Sequence, residues 1–298
     1  MTTWSHEPVL LRETAELLLT NPDGTYLDAT LGLGGHSRYF LEHKLSKKGR
    51  VIGIDLDCEA AELASSALAG FAPRFTAVRG SYTDARKILT SLGAGMVDGA
   101  LFDLGLSSYQ LDNPAKGFSF QREGPLDMRF DSGNPLTAND IINGESYDEL
   151  ERILRVYGEE FFSRRIAEAV VERRAETRFE TTAQLAGFIE KIVRRHGRTH
   201  PATKTFQALR VAVNHEFENV EKAIATLDQI LKPGGRAAFI TFHSLEDRII
   251  KQAFRKMADE GNWALVVKKP VQPSREEILK NPRSRSAKLR VIEKIPQI

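Results

Sequence analysis

Apolar and polar positions fall into two rhythms along the chain. Over the first part, short apolar runs alternate with helical spacing. Tyr26-Leu27, Val51-Ile52-Gly53-Ile54, Phe75-Thr76-Ala77-Val78 and Ala100-Leu101-Phe102 each precede an acid or a glycine-bearing loop. Such alternation predicts parallel strands joined by crossover helices. The rhythm then changes. The next run with strand character, Arg236–Phe242, comes about 130 residues later, too far for an ordinary crossover. Between them Ser146-x-x-Glu149 reads as a capping box, and Leu150, Ile153, Leu154 and Tyr157 share one helical face. Leu185, Phe188, Ile189 and Ile192 repeat that spacing. One long helix is expected through Phe206, Leu209, Val213, Phe217, Val220, Ile224, Leu227 and Leu231, stopped by Lys232-Pro233-Gly234-Gly235. Ser244-x-x-Asp247 is compatible with a cap on the next helix, and Trp263–Val267 and Leu289–Glu293 supply two last strands. The expected architecture is α/β: a discontinuous sheet core of residues 1–112 and 205–298, with a mainly helical substrate or lid domain inserted at 113–204.

The first strand carries the first chemistry. Tyr26-Leu27-Asp28-Ala29-Thr30-Leu31-Gly32-Leu33-Gly34-Gly35-His36 ends an apolar run in an acid, passes three glycines and enters a helical pattern. Glycine suits a backbone that turns tightly with a ligand against it, at a helix N-terminus. The second strand ends in Asp55-Leu56-Asp57, about 20 residues on, where an acid can accept hydrogen bonds from ribose hydroxyls. Asp57 can equally cap the helix starting at Cys58. A dinucleotide loop needs a further glycine where this chain has Ser37, so Asp28-x-x-x-Gly32-x-Gly34 resembles instead the first motif of S-adenosylmethionine (SAM) methyltransferases. Gly80-Ser81-Tyr82 follows the third strand, and Tyr82 suits either stacking on adenine or packing at the strand end. The fourth strand ends at Asp103, at the switch point where open α/β sheets bind ligands.

Composition narrows the classes. The 298 residues are 41% hydrophobic and 28% charged, with a formal net charge of +2, as in an ordinary globular protein. One cysteine, Cys58, excludes an internal disulfide and any multi-cysteine metal site. No ligand cluster with metal spacing is seen, so no metal is expected. Neither a signal peptide nor an apolar run of membrane-spanning length is present, which predicts a cytoplasmic protein that does not meet the membrane. The charge is uneven. Arg164, Arg165, Arg173, Arg174, Lys191, Arg194, Arg195, Arg198 and Lys204 make the insertion basic, partly balanced by Glu168, Glu172, Glu176 and Glu180. Its densest run, with Arg194, Arg195 and Arg198, and a second run with Arg283, Arg285 and Lys288, suit either RNA phosphates or solvent. Phe118, Phe120 and Phe130 suit stacking on RNA, or packing between lid and core.

Longer motifs identify a family. Gly34-Gly35-His36-Ser37, Asp103-Leu104-Gly105-x-Ser107-Ser108-x-Gln110-Leu111-Asp112 and Gly117-Phe118-Ser119-Phe120 belong to one pattern. So do Gly124-Pro125-Leu126-Asp127-Met128-Arg129, Thr205-Phe206-Gln207-Ala208-Leu209-Arg210, Phe242-His243-Ser244-Leu245-Glu246-Asp247-Arg248 and Asn281-Pro282-Arg283-Ser284-Arg285-Ser286-Ala287-Lys288. In this order, from His6 nearly to the C-terminus, they resemble the bacterial small-subunit rRNA cytosine-N4 methyltransferases of the MraW/RsmH type. The resemblance implies a class I, Rossmann-like SAM-dependent methyltransferase core with a helical insertion. It implies methyl transfer to N4 of one decoding-centre cytidine, in rRNA within a ribosomal subunit or its precursor. It also implies SAM contacts at Gly34, Gly35, His36, Asp55, Tyr82, Asp103 and Gln110. Many relatives have Phe where Tyr82 stands, which preserves stacking.

Cytosine N4 is a poor nucleophile because its lone pair is delocalised into the ring. Amino-methyltransferases of DNA surround the amine with acceptors from an acid or amide, two prolines and an aromatic after the fourth strand. This chain has Asp103-Leu104-Gly105-Leu106 there, so the acceptors come from elsewhere. Ser107, Ser108 and His243, which follow the fourth and fifth strands, are the candidates for the cytosine pocket; His243 and Ser244 equally suit holding a loop and capping a helix. A SAM-dependent N-methyltransferase acting on a small molecule or protein would share the core without needing the basic segments.

Overall fold

The computed structural model describes residues 8–194 and 200–296. It divides into two compact units, Met1–Gly105 with Phe217–Ile298, and Leu106–Glu216.

The first unit alternates as expected. Helix α1 (Leu11–Leu18) leads to β1 (Thr25–Asp28), α2 (Gly35–His43), β2 (Arg50–Asp55), α3 (Cys58–Ala67), β3 (Phe75–Arg79), α4 (Ala85–Ser91) and β4 (Val97–Asp103). The strands form one seven-stranded sheet, ordered β3-β2-β1-β4-β5-β7-β6, whose first five members run parallel. The antiparallel strand β7 (Lys288–Lys294) lies between β5 (Leu231–Thr241) and β6 (Trp263–Leu265). Strand order reverses between β1 and β4, which makes the carboxyl edge there the place where ligands bind. Register sets Asp28 opposite Gly53 and Leu101, Asp55 opposite Arg79, and Asp103 opposite Ile240. The acids that end β1, β2 and β4 therefore share one edge.

Both faces of the sheet are covered by apolar side chains. On one face Phe102 and Phe239 stack at 4.3 Å, with Phe254 of α12 (Ser244–Asp259) edge-on to Phe239. Lys232-Pro233-Gly234-Gly235 does end a helix, but it lies within β5, whose pairing with β4 shifts register between Val97 and Gly99. Asp98 accepts hydrogen bonds there from the backbone N–H of Thr25 (2.8 Å) and from Lys232 Nζ (2.7 Å).

The second unit is helical: α5 (Ser108–Asp112), α6 (Ala138–Gly144), α7 (Tyr147–Gly158), α8 (Ser163–Glu176), α9 (Thr182–Ile192) and α10 (Thr203–Asn214). It is wider at both ends than the expected 113–204. Leu106 and Leu111 pack against its core, and Phe206, Leu209 and Val213 of α10 are part of that core. Phe118 stacks on Phe130 at 5.4 Å, and Phe120 lies 4.9 Å edge-on to Phe206. Phe118 belongs to the core of this unit, and Phe120 and Phe130 pack against it half-buried.

Three local expectations are corrected. Ser146 caps α7, but the Glu149 carboxylate binds Arg152 at 2.6 and 2.7 Å, so the reciprocal half of the box is missing. The long helix from Phe206 to Leu231 is two helices, α10 and α11 (Glu216–Ile230), broken at His215 in the left-handed conformation (φ 50°). The cap of α12 is His243, whose Nδ1 accepts from the Glu246 N–H at 3.4 Å, in place of Ser244.

His215 is exposed, and a side chain in the left-handed region carries a steric penalty that glycine avoids. His215→Gly should raise unfolding free energy by about 0.5–1 kcal/mol, whereas His215→Val should lower it, as read by urea denaturation.

Candidate active site

The glycine loop is built by backbone bonds. After β1, Leu31 N–H donates to the Ile54 carbonyl (2.9 Å) and Gly34 N–H to the Leu31 carbonyl (2.8 Å). Gly53 passes so close beneath Leu31 that a Cβ would lie 2.6 Å from its Cδ1. Gly34 turns at φ +79°, and a Cβ there would also meet Leu68 at 2.8 Å. Nothing larger than glycine fits either place without displacing an apolar side chain.

Asp55 ties this loop to β2. Its Oδ2 accepts the Gly32 N–H at 2.7 Å and its Oδ1 the Asp57 N–H at 2.8 Å. Asp57 in turn caps α3 through the Glu59 N–H. Burial pushes the Asp55 carboxyl up to about 6, against the pull of those two hydrogen bonds, with the charges of Asp57 and Asp28 adding to the rise.

The third group of residues lies between the ends of β1 and β4. Asp28 is 1% exposed, and its Oδ2 accepts the Ser37 hydroxyl at 2.6 Å while Oδ1 has no hydrogen-bond partner. Burial raises its pKa; the Ser37 hydrogen bond and nearby His36 oppose the rise, and Asp103 adds to it. His36, in the first turn of α2, sets Nε2 3.6 Å from Asp103 Oδ2. Neither His36 nitrogen is hydrogen-bonded, nor is Asp103 Oδ1. Thr30 Oγ1 holds Asp103 by accepting its backbone N–H at 2.6 Å. Buried polar atoms without partners are rare and costly, so this cluster is shaped for a polar ligand, and two open carboxylate oxygens favour a cationic one.

Tyr82 opens a short 3₁₀ turn after β3, half-buried, its ring 5.9 Å edge-on to Phe102. Packing at the strand end is thus real, and the remaining part of the ring is open to solvent.

The other expected residues lie apart in the chain's organisation. His243 belongs to the first unit, two residues beyond β5; its Nε2 is 3.0 Å from Glu246 Oε1, and its ring is tilted against Phe217 at 5.8 Å. Ser107, Ser108 and Gln110 belong to the second unit. Ser107 Oγ accepts the Gln110 N–H and Gln110 Oε1 the Ser107 N–H, both at 3.2 Å, a full capping box on α5. Arg194 is exposed after α9, while Arg195 and Arg198 lie outside the described residues. Arg283 and Arg285 sit in a 3₁₀ turn, Pro282–Ser286, pinned by the buried Ser284, where the sequence suggested a loop. Lys288 is the first residue of β7 and pairs with Asp247 at 2.9 Å beside Arg290 at 2.7 Å. Its ammonium is thus engaged by a carboxylate that it shares with Arg290. Among the described residues no group of three or more His, Cys, Asp and Glu is placed to hold a metal ion.

Sequence reasoning missed Ser37 and Thr30. Ser37 counted as the residue that broke the dinucleotide pattern and as part of the family motif, with no role of its own, yet its hydroxyl holds Asp28.

A parallel sheet reversing between β1 and β4, an antiparallel β7 slotted beside β5, and a glycine loop tied to the acid of β2 define a class I SAM-dependent methyltransferase. The chain belongs to the MraW methylase family, whose model matches residues 3–295. Ribosomal RNA small subunit methyltransferase H of Elusimicrobium minutum (strain Pei191) is 50% identical over 296 residues, covering 99% of this chain and 100% of that protein. The protein of the same name from Caldicellulosiruptor bescii is 45% identical, over 98% of this chain and 100% of its own. Among solved structures, an rRNA methylase from Streptococcus thermophilus aligns over 96% of this chain and 94% of its own, at 12% identity and a TM-score of 0.44.

The Asp55 carboxyl yields a stability prediction for the ligand-free protein. In the unfolded chain it ionises near its ordinary value of 3.8, in the folded protein near 6. Between those values the folded state binds the extra proton, so this group's contribution to stability declines as pH rises through the window. Relative to Asp55→Asn, which does not titrate, the wild type should lose about 2 kcal/mol between pH 4 and pH 7. Parallel pH profiles of the two proteins, by denaturant melts, would contradict this.

Proposed function

We propose that the protein transfers the methyl group of SAM to the exocyclic N4 amine of one cytidine in small-subunit rRNA, and that it acts on the RNA within a ribosomal subunit or its precursor. One observation carries the cofactor part: a glycine loop tied to an acid, beside buried Asp28 and Asp103 oxygens that lack partners. The substrate part rests on membership of the MraW methylase family and on relatives named ribosomal RNA small subunit methyltransferase H over nearly the whole chain.

When bound, SAM supplies a methyl carbon made electrophilic by its sulfonium. The chain's own residues bind and orient. Gly34 and Gly35, whose missing Cβ atoms make room for Leu68 and Pro8, are assigned to the cofactor by the family pattern, and Asp55, already holding Gly32, would accept ribose hydroxyls with its remaining lone pairs. Tyr82 offers the open part of its ring to the adenine. His36 and Asp103 would hold the amino-acid end, with the unpartnered Asp103 Oδ1 as the available acceptor. Alignment of this kind lowers the barrier by removing the search for an in-line approach. Gln110 is assigned to the cofactor, and Ser107 and Ser108 to the base, by the family pattern. His243 is the cytosine-facing candidate of the first unit, with its Nδ1 committed to the helix cap and its Nε2 beside Glu246. The target cytosine must be unpaired or flipped to reach a buried cofactor. Arg194, Arg195, Arg198, Arg283 and Arg285 are proposed to meet RNA phosphates.

Methyl transfer from labelled SAM to small subunits lacking the modification, followed by nucleoside analysis, tests this directly. The expected product is N4-methylcytidine at a single site, with Asp103→Ala reducing SAM affinity at least about tenfold through the lost charge-assisted contact. Label in another nucleoside would keep the enzyme class and overturn the target. Transfer only to a small molecule or protein would replace the RNA reading altogether.

A further inference from the structure

The turn between α7 and α8 carries an aromatic ring that the fold leaves outside. Phe161 is 87% exposed, the most exposed large apolar side chain among the described residues, whereas its neighbour Phe162 packs against the core of the inserted unit. The two rings meet edge to face at 5.2 Å. The turn is held tightly. Glu159 adopts the left-handed conformation, the Glu160 N–H donates to the Leu154 carbonyl, and the buried Glu160 carboxylate accepts the Phe162 N–H at 2.9 Å. Ser163, next along, donates its hydroxyl to Glu151 at 2.9 Å. A ring mounted on so fixed a backbone loses little freedom when it is covered.

Two cations follow it closely in the sequence. Arg164 and Arg165 occupy the first turn of α8, both exposed and neither in a hydrogen bond or ion pair among the described residues. The positive end of a helix is an unfavourable place for two arginines, so stability of α8 does not explain them. Lys204 lies at the same turn but is already held, its Nζ donating to the Glu159 carbonyl at 2.8 Å. The exposed acids along this stretch are Glu159 and Glu168.

We propose that Phe161, Arg164 and Arg165 form a contact site for single-stranded RNA, the ring stacking on an unpaired base while the two cations meet the flanking phosphates. This rests on the RNA-substrate reading above and adds to it a surface that the family motifs do not include. An exposed ring beside uncommitted cations is the combination that binds single strands without regard to sequence. A second copy of the chain presenting the same face would set these cations against one another, which disfavours a symmetric dimer here.

The test compares wild type, Phe161→Ala, Phe161→Trp and the Arg164→Ala/Arg165→Ala double variant. Each is titrated with unmodified small subunits and with a fluorescent single-stranded RNA at several salt concentrations. Thermal melting confirms the fold, and SAM affinity is measured alongside. Phe161→Ala should weaken RNA binding on the order of tenfold and raise KM for subunits, with SAM affinity as in the wild type. Phe161→Trp should bind as tightly as the wild type. The double variant should flatten the salt dependence by about 0.7 per lost phosphate contact. Wild-type affinity in Phe161→Ala overturns this site while leaving the RNA reading intact. So does a changed oligomeric state in Phe161→Ala with RNA affinity unaltered, which would make the ring an interface between copies. A wild-type protein that neither binds nor methylates RNA removes the substrate reading and this site together.

Discussion

Three carboxylates brought to one edge of a parallel sheet are the constraint around which the first unit is built. Parallel strands end together, so the acids of β1, β2 and β4 converge where the strand order reverses, and burial opposes the charge of Asp28 and Asp55. Each is answered by a different device: a hydroxyl from Ser37 for Asp28, backbone N–H groups of Gly32 and Asp57 for Asp55, and the imidazole of His36 for Asp103. The answers are incomplete by design of the fold, since Asp28 Oδ1 and Asp103 Oδ1 stay without partners. The unit therefore carries a local destabilisation at the place where a cationic, polar cofactor would relieve it. Its apolar faces, with Phe102 stacked on Phe239, supply the stability that makes such a site tolerable.

The same logic links loop to strand. Asp55 serves two masters, because a carboxylate has about four acceptor directions and the backbone uses one at each oxygen. The directions left over are those available to ribose hydroxyls. An acid at this position thus ties the glycine loop to β2 through the Gly32 N–H before any ligand arrives.

Much of this was legible in the sequence because it is local or periodic. Four apolar runs ending beside acids or glycines predicted β1 to β4, and the long gap before β5 predicted an insertion. What escaped was set by single residues that leave no period. Phe206 to Leu231 kept its helical spacing through the break because one left-handed residue, His215, turns the chain without interrupting the apolar count. His243 displaced Ser244 as cap, since an imidazole nitrogen accepts an N–H as a hydroxyl does, and the hydroxyl was the more familiar signal. Ser37 looked like a missing glycine and proved to be a donor to a buried acid. Phe161, alone on a turn, belonged to no pattern at all.

Charge was the least legible property, and the structure shows why. A cation contributes to a nucleic-acid surface only if nothing nearer holds it. Arg174 in α8 donates to the carbonyls of Ile142 and Glu145 at the end of α6, and Arg173 to the Thr177 carbonyl beyond its own helix. Lys288 answers Asp247 together with Arg290, and those two cations hold that carboxyl below its usual range although burial pushes it up. Such residues raise a basic count and terminate helices or join strands, so they are already engaged by carbonyls or carboxylates. Arg164 and Arg165 read identically in the sequence, but no carbonyl or carboxylate among the described residues engages them. A formal net charge of +2 therefore conceals two populations of cations, and only the second has a field left over to meet phosphate.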